Sequence, residues 1–164
     1  MKSFRVAISA LLLLIATAAV ADSNSQKTFD TLKTLAGSWE GKAMEGRPVQ
    51  VSFRVTSGGS ALMSEILGEE DMVSMFHMDG DRLLMTHYCA VGNQPRMVGT
   101  VSPDGKVVTF DFLDATNVIS SQPGHMQHAV FTVIDADHHT EDWTFMNQDG
   151  KQQQHEHFDL QRKK

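Results

Sequence analysis

The sequence has a single cysteine, Cys89, so an internal disulfide is excluded and stability has to come from packing and hydrogen bonds. Alone, Cys89 reads as a small buried hydrophobe or as a reactive thiol. Basic residues are scarce: the one cluster is Arg162-Lys163-Lys164 at the end of the chain. That balance makes nucleic acid or an anionic membrane surface a poor partner. Also missing are a Gly-x-Ser-x-Gly elbow, a Gly-rich phosphate loop, a His-Glu-x-x-His helix and paired cysteines, which removes the common hydrolase, nucleotide and zinc signatures. No repeat or low-complexity tract is present; Gln152-Gln153-Gln154 is too short to count.

The only long apolar run, Val6 to Val20, follows positive charges at Lys2 and Arg5 and ends in Ala19-Val20-Ala21. This is the pattern of a secretory signal peptide over residues 1–21, and the run is too short and too small-ended for a spanning helix. No cysteine follows it, so a lipoprotein anchor is not expected. Cleavage after Ala21 would leave residues 22–164 as an exported chain, periplasmic or secreted, with no membrane span. Loss of Lys2 and Arg5 would leave it twelve basic against twenty acidic residues. Its length suits one domain with a real core.

Asp22 to Gln26 is polar and reads as a disordered leader, after which Phe29, Leu32 and Leu35 repeat at helical spacing. A short helix is expected there, ending at Gly37 and delivering Trp39 into a first strand. From Trp39 the period changes to two. Val49, Val51, Phe53 and Val55 alternate with Gln50, Ser52, Arg54 and Thr56, the cleanest half-buried strand of the chain. Turns at Gly58-Gly59, Asp79-Gly80, Gly92-Asn93-Gln94-Pro95, Asp104-Gly105 and Asp149-Gly150 divide the remainder into about ten strands. These start near Ser38, Pro48, Ser60, Met72, Arg82, Arg96, Lys106, Met126, His139 and Lys151. The one long connection, Asp114 to Gly124, is a candidate lid or portal. Ten short antiparallel strands and one helix fit a sandwich or an up-and-down barrel. The barrel is favoured, because closure removes the exposed edges of a long meander and an early Trp can plug one end. The expected fold is thus all-β, an antiparallel up-and-down barrel with a short N-terminal helix.

Gly37-Ser38-Trp39-Glu40-Gly41, with ten strands and a His on the last one, resembles the calycin superfamily of lipocalins and fatty-acid-binding proteins. The resemblance extends more weakly to the haem-binding nitrobindins. It implies a structural role at the barrel base for Gly37, Trp39 and Gly41, and an interior that holds a small hydrophobic ligand. The nitrobindin likeness rests on His157-Phe158-Asp159-Leu160, and implies His157 as an iron ligand in a barrel acting on nitrogen oxides or peroxide.

Among residues with chemical capacity, His155 and His157 share one face of the last strand. They are too few for a zinc site, which would need His125, His128, His138 or His139 as well, and no metal is expected. Opposite His157 the hairpin register places Asp142 if the loop has two residues, or Glu141 if it has three. The segment Thr86-His87-Tyr88-Cys89, with Arg96 close behind, is the densest grouping. His87 and Cys89 share a face and Tyr88 takes the other. Adjacency along one strand is not the oriented arrangement of a catalytic Cys-His pair, so these residues are candidates for ligand binding, with Arg96 or Tyr88 meeting a carboxylate. Ten methionines, Met75 and Met85 among them, suggest a pliable apolar lining or simply a Met-rich core. The expected function is binding of a small hydrophobic or amphipathic ligand, without catalysis and without a cofactor. The alternatives are a haem barrel and a solidly packed module that meets a protein partner.

Overall fold

In the computed structural model, residues 24–68, 70–120, 124–147 and 153–164 are described. The expected signal peptide, Lys151 and the turn at Asp149-Gly150 lie outside them. Ten strands follow in order: β1 (Gly37–Lys42), β2 (Pro48–Thr56), β3 (Ala61–Leu67), β4 (Met72–Asp79), β5 (Arg82–Tyr88), β6 (Gln94–Val101), β7 (Val107–Thr116), β8 (His125–Val133), β9 (His138–Met146) and β10 (Gln153–Arg162). Apart from Lys151, every start lies within two residues of expectation, most of them because Gly and Asp-Gly turns mark where a strand must stop. Each strand pairs antiparallel with the next, and β1 pairs with β10, so the sheet closes into an up-and-down barrel. Closure leaves no unpaired strand edge.

The helix, α1 (residues 24–33), begins earlier than the sequence suggests. Residues 24–26, read as part of a disordered leader, are its first turn, and the Thr28 hydroxyl donates to the Asn24 carbonyl at 2.8 Å. Its apolar face carries Phe29 and Leu32, and Leu35 continues that face beyond its end; all three are buried against the base of the barrel. Burial of three large side chains, at about 1.5–3 kcal/mol each, outweighs the weak helix propensity of so short a segment.

Period-two alternation decides which residues face inward. Val49, Val51 and Phe53 of β2, Leu62, Ser64 and Ile66 of β3, and Phe158 and Leu160 of β10 are buried, and their neighbours are more exposed. Near the α1 end the interior is filled. Phe76, Phe110, Phe131 and Trp143 form a cluster of tilted and edge-to-face rings with centroids 5.4–5.8 Å apart. Met85 and Met97 complete this packed half. The described residues of the loops at the opposite end, 43–47, 68, 70–71, 89–93, 117–120 and 124, lie at its mouth. There the Asn117 side chain donates to the Gly92 carbonyl at 2.6 Å, and that of Asn93 to the Gly124 carbonyl at 2.7 Å. The long connection is thereby tied to the β5–β6 turn.

Candidate functional site: a hollow at the open end of the barrel

β5 supplies the central residue. Leu83 and Met85 are fully buried, and the same inward phase carries His87 into the interior two residues later. The β4–β5 register sets Ser74 directly opposite, and its hydroxyl shares a 2.9 Å hydrogen bond with His87 Nδ1. The Trp143 ring packs on the imidazole, centroids 5.0 Å apart. Nε2 has no hydrogen-bond partner among the described residues. Burial disfavours the imidazolium and lowers the His87 pKa to about 4, so the ring is neutral at ordinary pH.

His87 lines a half-open cavity of about 380 Å³. Ile66, Met72, Met126, Trp143, Phe145 and Phe158 provide its apolar walls. Cys89, on the same face as His87, is also in the wall; burial pushes its thiol pKa up, so it is protonated rather than a nucleophilic thiolate. Beside it lies a second half-open cleft of about 600 Å³, with which it shares Ile66, Glu70, Met72, Glu156 and Phe158. In that adjoining cleft Arg47, from the β1–β2 loop, forms an ion pair with Glu156 of β10. The other carboxylate oxygen of Glu156 is buried and has no partner among the described residues. A chamber with mostly apolar walls, with Glu70, Gln154, His155 and Glu156 also in its lining and the open Nε2 of His87 inside it, can hold a small molecule and orient it.

The remaining residues singled out in the sequence are placed as follows. Tyr88, Met75 and Arg96 lie on the outer face; Met75 pairs across strands with Met63, and Arg96 forms a two-pronged ion pair with Asp114. Met85 belongs to the packed half and borders neither of these hollows. His157 lies opposite Asp142, and its Nδ1 shares a 2.6 Å hydrogen bond with Asp142 Oδ1. This is the register of the shorter loop. It leaves the His157 side chain about half exposed outside the wall, because Phe158 and Leu160 take the inward phase, so its ring does not face the interior. Among the described residues no three His, Cys, Asp or Glu side chains are grouped so as to hold a metal. No described helix is long and apolar enough to cross a membrane.

Gly37 and Trp39 sit at the closed end, and Gly41 lies further along β1, near the β1–β2 loop of the open end. The buried Trp39 indole donates to the Leu35 carbonyl at 2.7 Å, and a Cβ at Gly41 would fall on the Asp159 backbone carbonyl of β10. Arg162, which the sequence presents only as one of a terminal basic trio, has its guanidinium 4.1 Å from the Trp39 ring centroid. It also donates to the carbonyls of Thr34, Ala36 and Ala136, locking α1 and the β8–β9 turn to the barrel. Also unforeseen is a buried network on β9, in which Glu141 accepts from His139 Nε2 at 3.2 Å and Trp143 Nε1 at 3.0 Å. Glu156 was equally unforeseen, although its spacing of two from Phe158 places it on the inward face.

The architecture defines a class: a closed ten-stranded antiparallel barrel, packed at one end and hollow at the other. The chain matches no known protein family and no curated protein. Its likeness is to solved structures. Rv2717c from M. tuberculosis is similar over 84% of this chain and 98% of its own, with 17% identity and a TM-score of 0.57. A protein of unknown function of the DUF3598 family, from Nostoc punctiforme, is similar over 80% of this chain with 14% identity and a TM-score of 0.55; the match covers 48% of that longer chain. EF1p2_mFAP2b, solved bound to DFHBI, aligns over 80% of this chain with 11% identity and a TM-score of 0.37, too low to argue from. At these identities the likeness is one of fold.

Proposed function

We propose that this protein is an exported, calycin-like carrier that holds a small hydrophobic or amphipathic molecule in the chamber behind its open end, without catalysis. The observation that carries the reading is Nε2 of buried His87, without a partner among the described residues, in a chamber whose apolar walls are Ile66, Met72, Met126, Trp143, Phe145 and Phe158. Burying a polar atom without a partner costs free energy, roughly 1–3 kcal/mol, and a ligand that pairs with it recovers that cost. The chamber falls within the ~300–1,000 Å³ span of small-molecule clefts. Exposed apolar side chains support the same end of the molecule as the entrance: Met44, Leu67, Tyr88, Leu113, Val118 and Ile119 all lie on or beside its loops. Against thiol catalysis stands Cys89, whose burial keeps it protonated rather than a nucleophilic thiolate.

The test is titration of the purified protein with the neutral dye Nile red. A saturable blue-shifted emission is expected, together with slower maleimide labelling of Cys89 in the presence of dye. Met126→Trp, which fills the chamber, should abolish both effects. Absence of dye binding by the folded protein, with Cys89 labelling unchanged, would overturn the carrier reading in favour of a packed module.

A further inference from the structure

Resting on the carrier reading, the structure also discriminates among ligand headgroups. We infer that the ligand presents an uncharged hydroxyl to Nε2 of His87, and that the chamber selects against the carboxylate of a fatty-acid-like molecule. Three observations converge. First, no described Lys or Arg lines the chamber; Arg47 stands in the adjoining cleft and is already paired with Glu156. A carboxylate seated beside His87 would be a buried anion without a counter-charge, which is costly. Second, the lining is acidic: Glu70 and Glu156 border both hollows, and one oxygen of Glu156 is itself buried with no partner among the described residues. An anion meets like charge there, and an alcohol does not. Third, the Ser74 hydroxyl can give or take a proton at Nδ1, so Nε2 presents either an N–H or a lone pair. A ligand hydroxyl, both donor and acceptor, satisfies either tautomer, whereas a carboxylate satisfies one.

A cationic head is drawn to Glu70 and Glu156 in the cavity lining, whereas the neutral His87 ring offers it no charge. An ammonium therefore stays by the carboxylates, and the position beside His87 belongs to the hydroxyl. His155, at the rim, has its Nδ1 on the Thr144 hydroxyl at 3.1 Å.

The experiment compares chain-matched probes, n-octanol, octanoate and n-octylamine, by calorimetric titration of the purified protein near neutral pH. Octanol should bind at least about tenfold more tightly than octanoate. His87→Leu should narrow that gap by weakening octanol, and His87→Gln, which keeps a donor and an acceptor, should largely restore it. Should the His87 variants fail to fold, Glu156→Gln supplies the second arm and is expected to strengthen octanoate severalfold relative to octanol. Octanoate or octylamine binding as tightly as octanol to the wild type, or a Glu156→Gln variant with no gain for octanoate, would overturn the headgroup assignment while the carrier reading stood. Failure of all three probes together with Nile red would overturn both.

Discussion

At the scale of single residues, His87 links the interior to pH. Unfolded, it takes up a proton near its ordinary value of 6.5; in the barrel burial lowers that value to about 4. Between the two the unfolded chain binds more protons, so stability is full above the upper value and falls as pH drops toward the lower one. From about pH 7 to about pH 5 this group alone should remove on the order of 2 kcal/mol. Urea denaturation of wild type and His87→Gln at both pH values isolates it, because the surface carboxylates cancel in the difference. In the seam between β1 and β10, Gly41→Ala sets a methyl group on the Asp159 carbonyl, and rigid backbone leaves little room to yield. The expected cost is at least about 3 kcal/mol, read as a lower urea midpoint.

At the scale of elements, α1 is a plug held by three buried side chains and one arginine. Leu32→Ala removes a fully buried side chain and should cost about 2–5 kcal/mol. Arg162→Ala breaks three hydrogen bonds to carbonyls and the contact with Trp39, and should cost about 2–3 kcal/mol, with a change in the near-ultraviolet circular dichroism of the indole. Neither substitution touches the open end. Nile red affinity at a temperature where both variants remain folded should therefore be unchanged, which separates the structural end from the binding end. β10 shows how one strand serves two surfaces: Phe158 and Leu160 pack inward while His155 and His157 pair outward with Thr144 and Asp142.

For the whole molecule, closure depends on pairing the first strand with the last, the most distant partners in the chain. Topologies dominated by non-local pairing fold slowly, so refolding is expected on the millisecond-to-second scale in stopped-flow fluorescence. The two tryptophans report on different regions, Trp39 on the closed end and Trp143 on the chamber wall. A ligand should perturb the Trp143 signal, and Trp143→Phe should remove most of the response.

Strand number and strand positions were legible in the sequence because they rest on local chemistry. Gly and Asp-Gly turns end strands, and alternation such as Val49, Val51, Phe53 assigns faces within each one. The grouping of His87 with Cys89 on one face follows from the same period. Other features had no local signal. That Arg162 lies over Trp39 depends on the β1–β10 seam, and the outward position of His157 on the phase of β10. Whether Met85 packs in the core or Met72 borders a hollow depends on how far the aromatic cluster fills the barrel. The sequence by itself determined the strands and which residues of each share a face, since those follow from the two-residue repeat of an extended chain; which face turns inward came from the tertiary structure. Only the tertiary structure decided which inward residues meet and where space remains, since both depend on registers and packing between strands far apart in the chain.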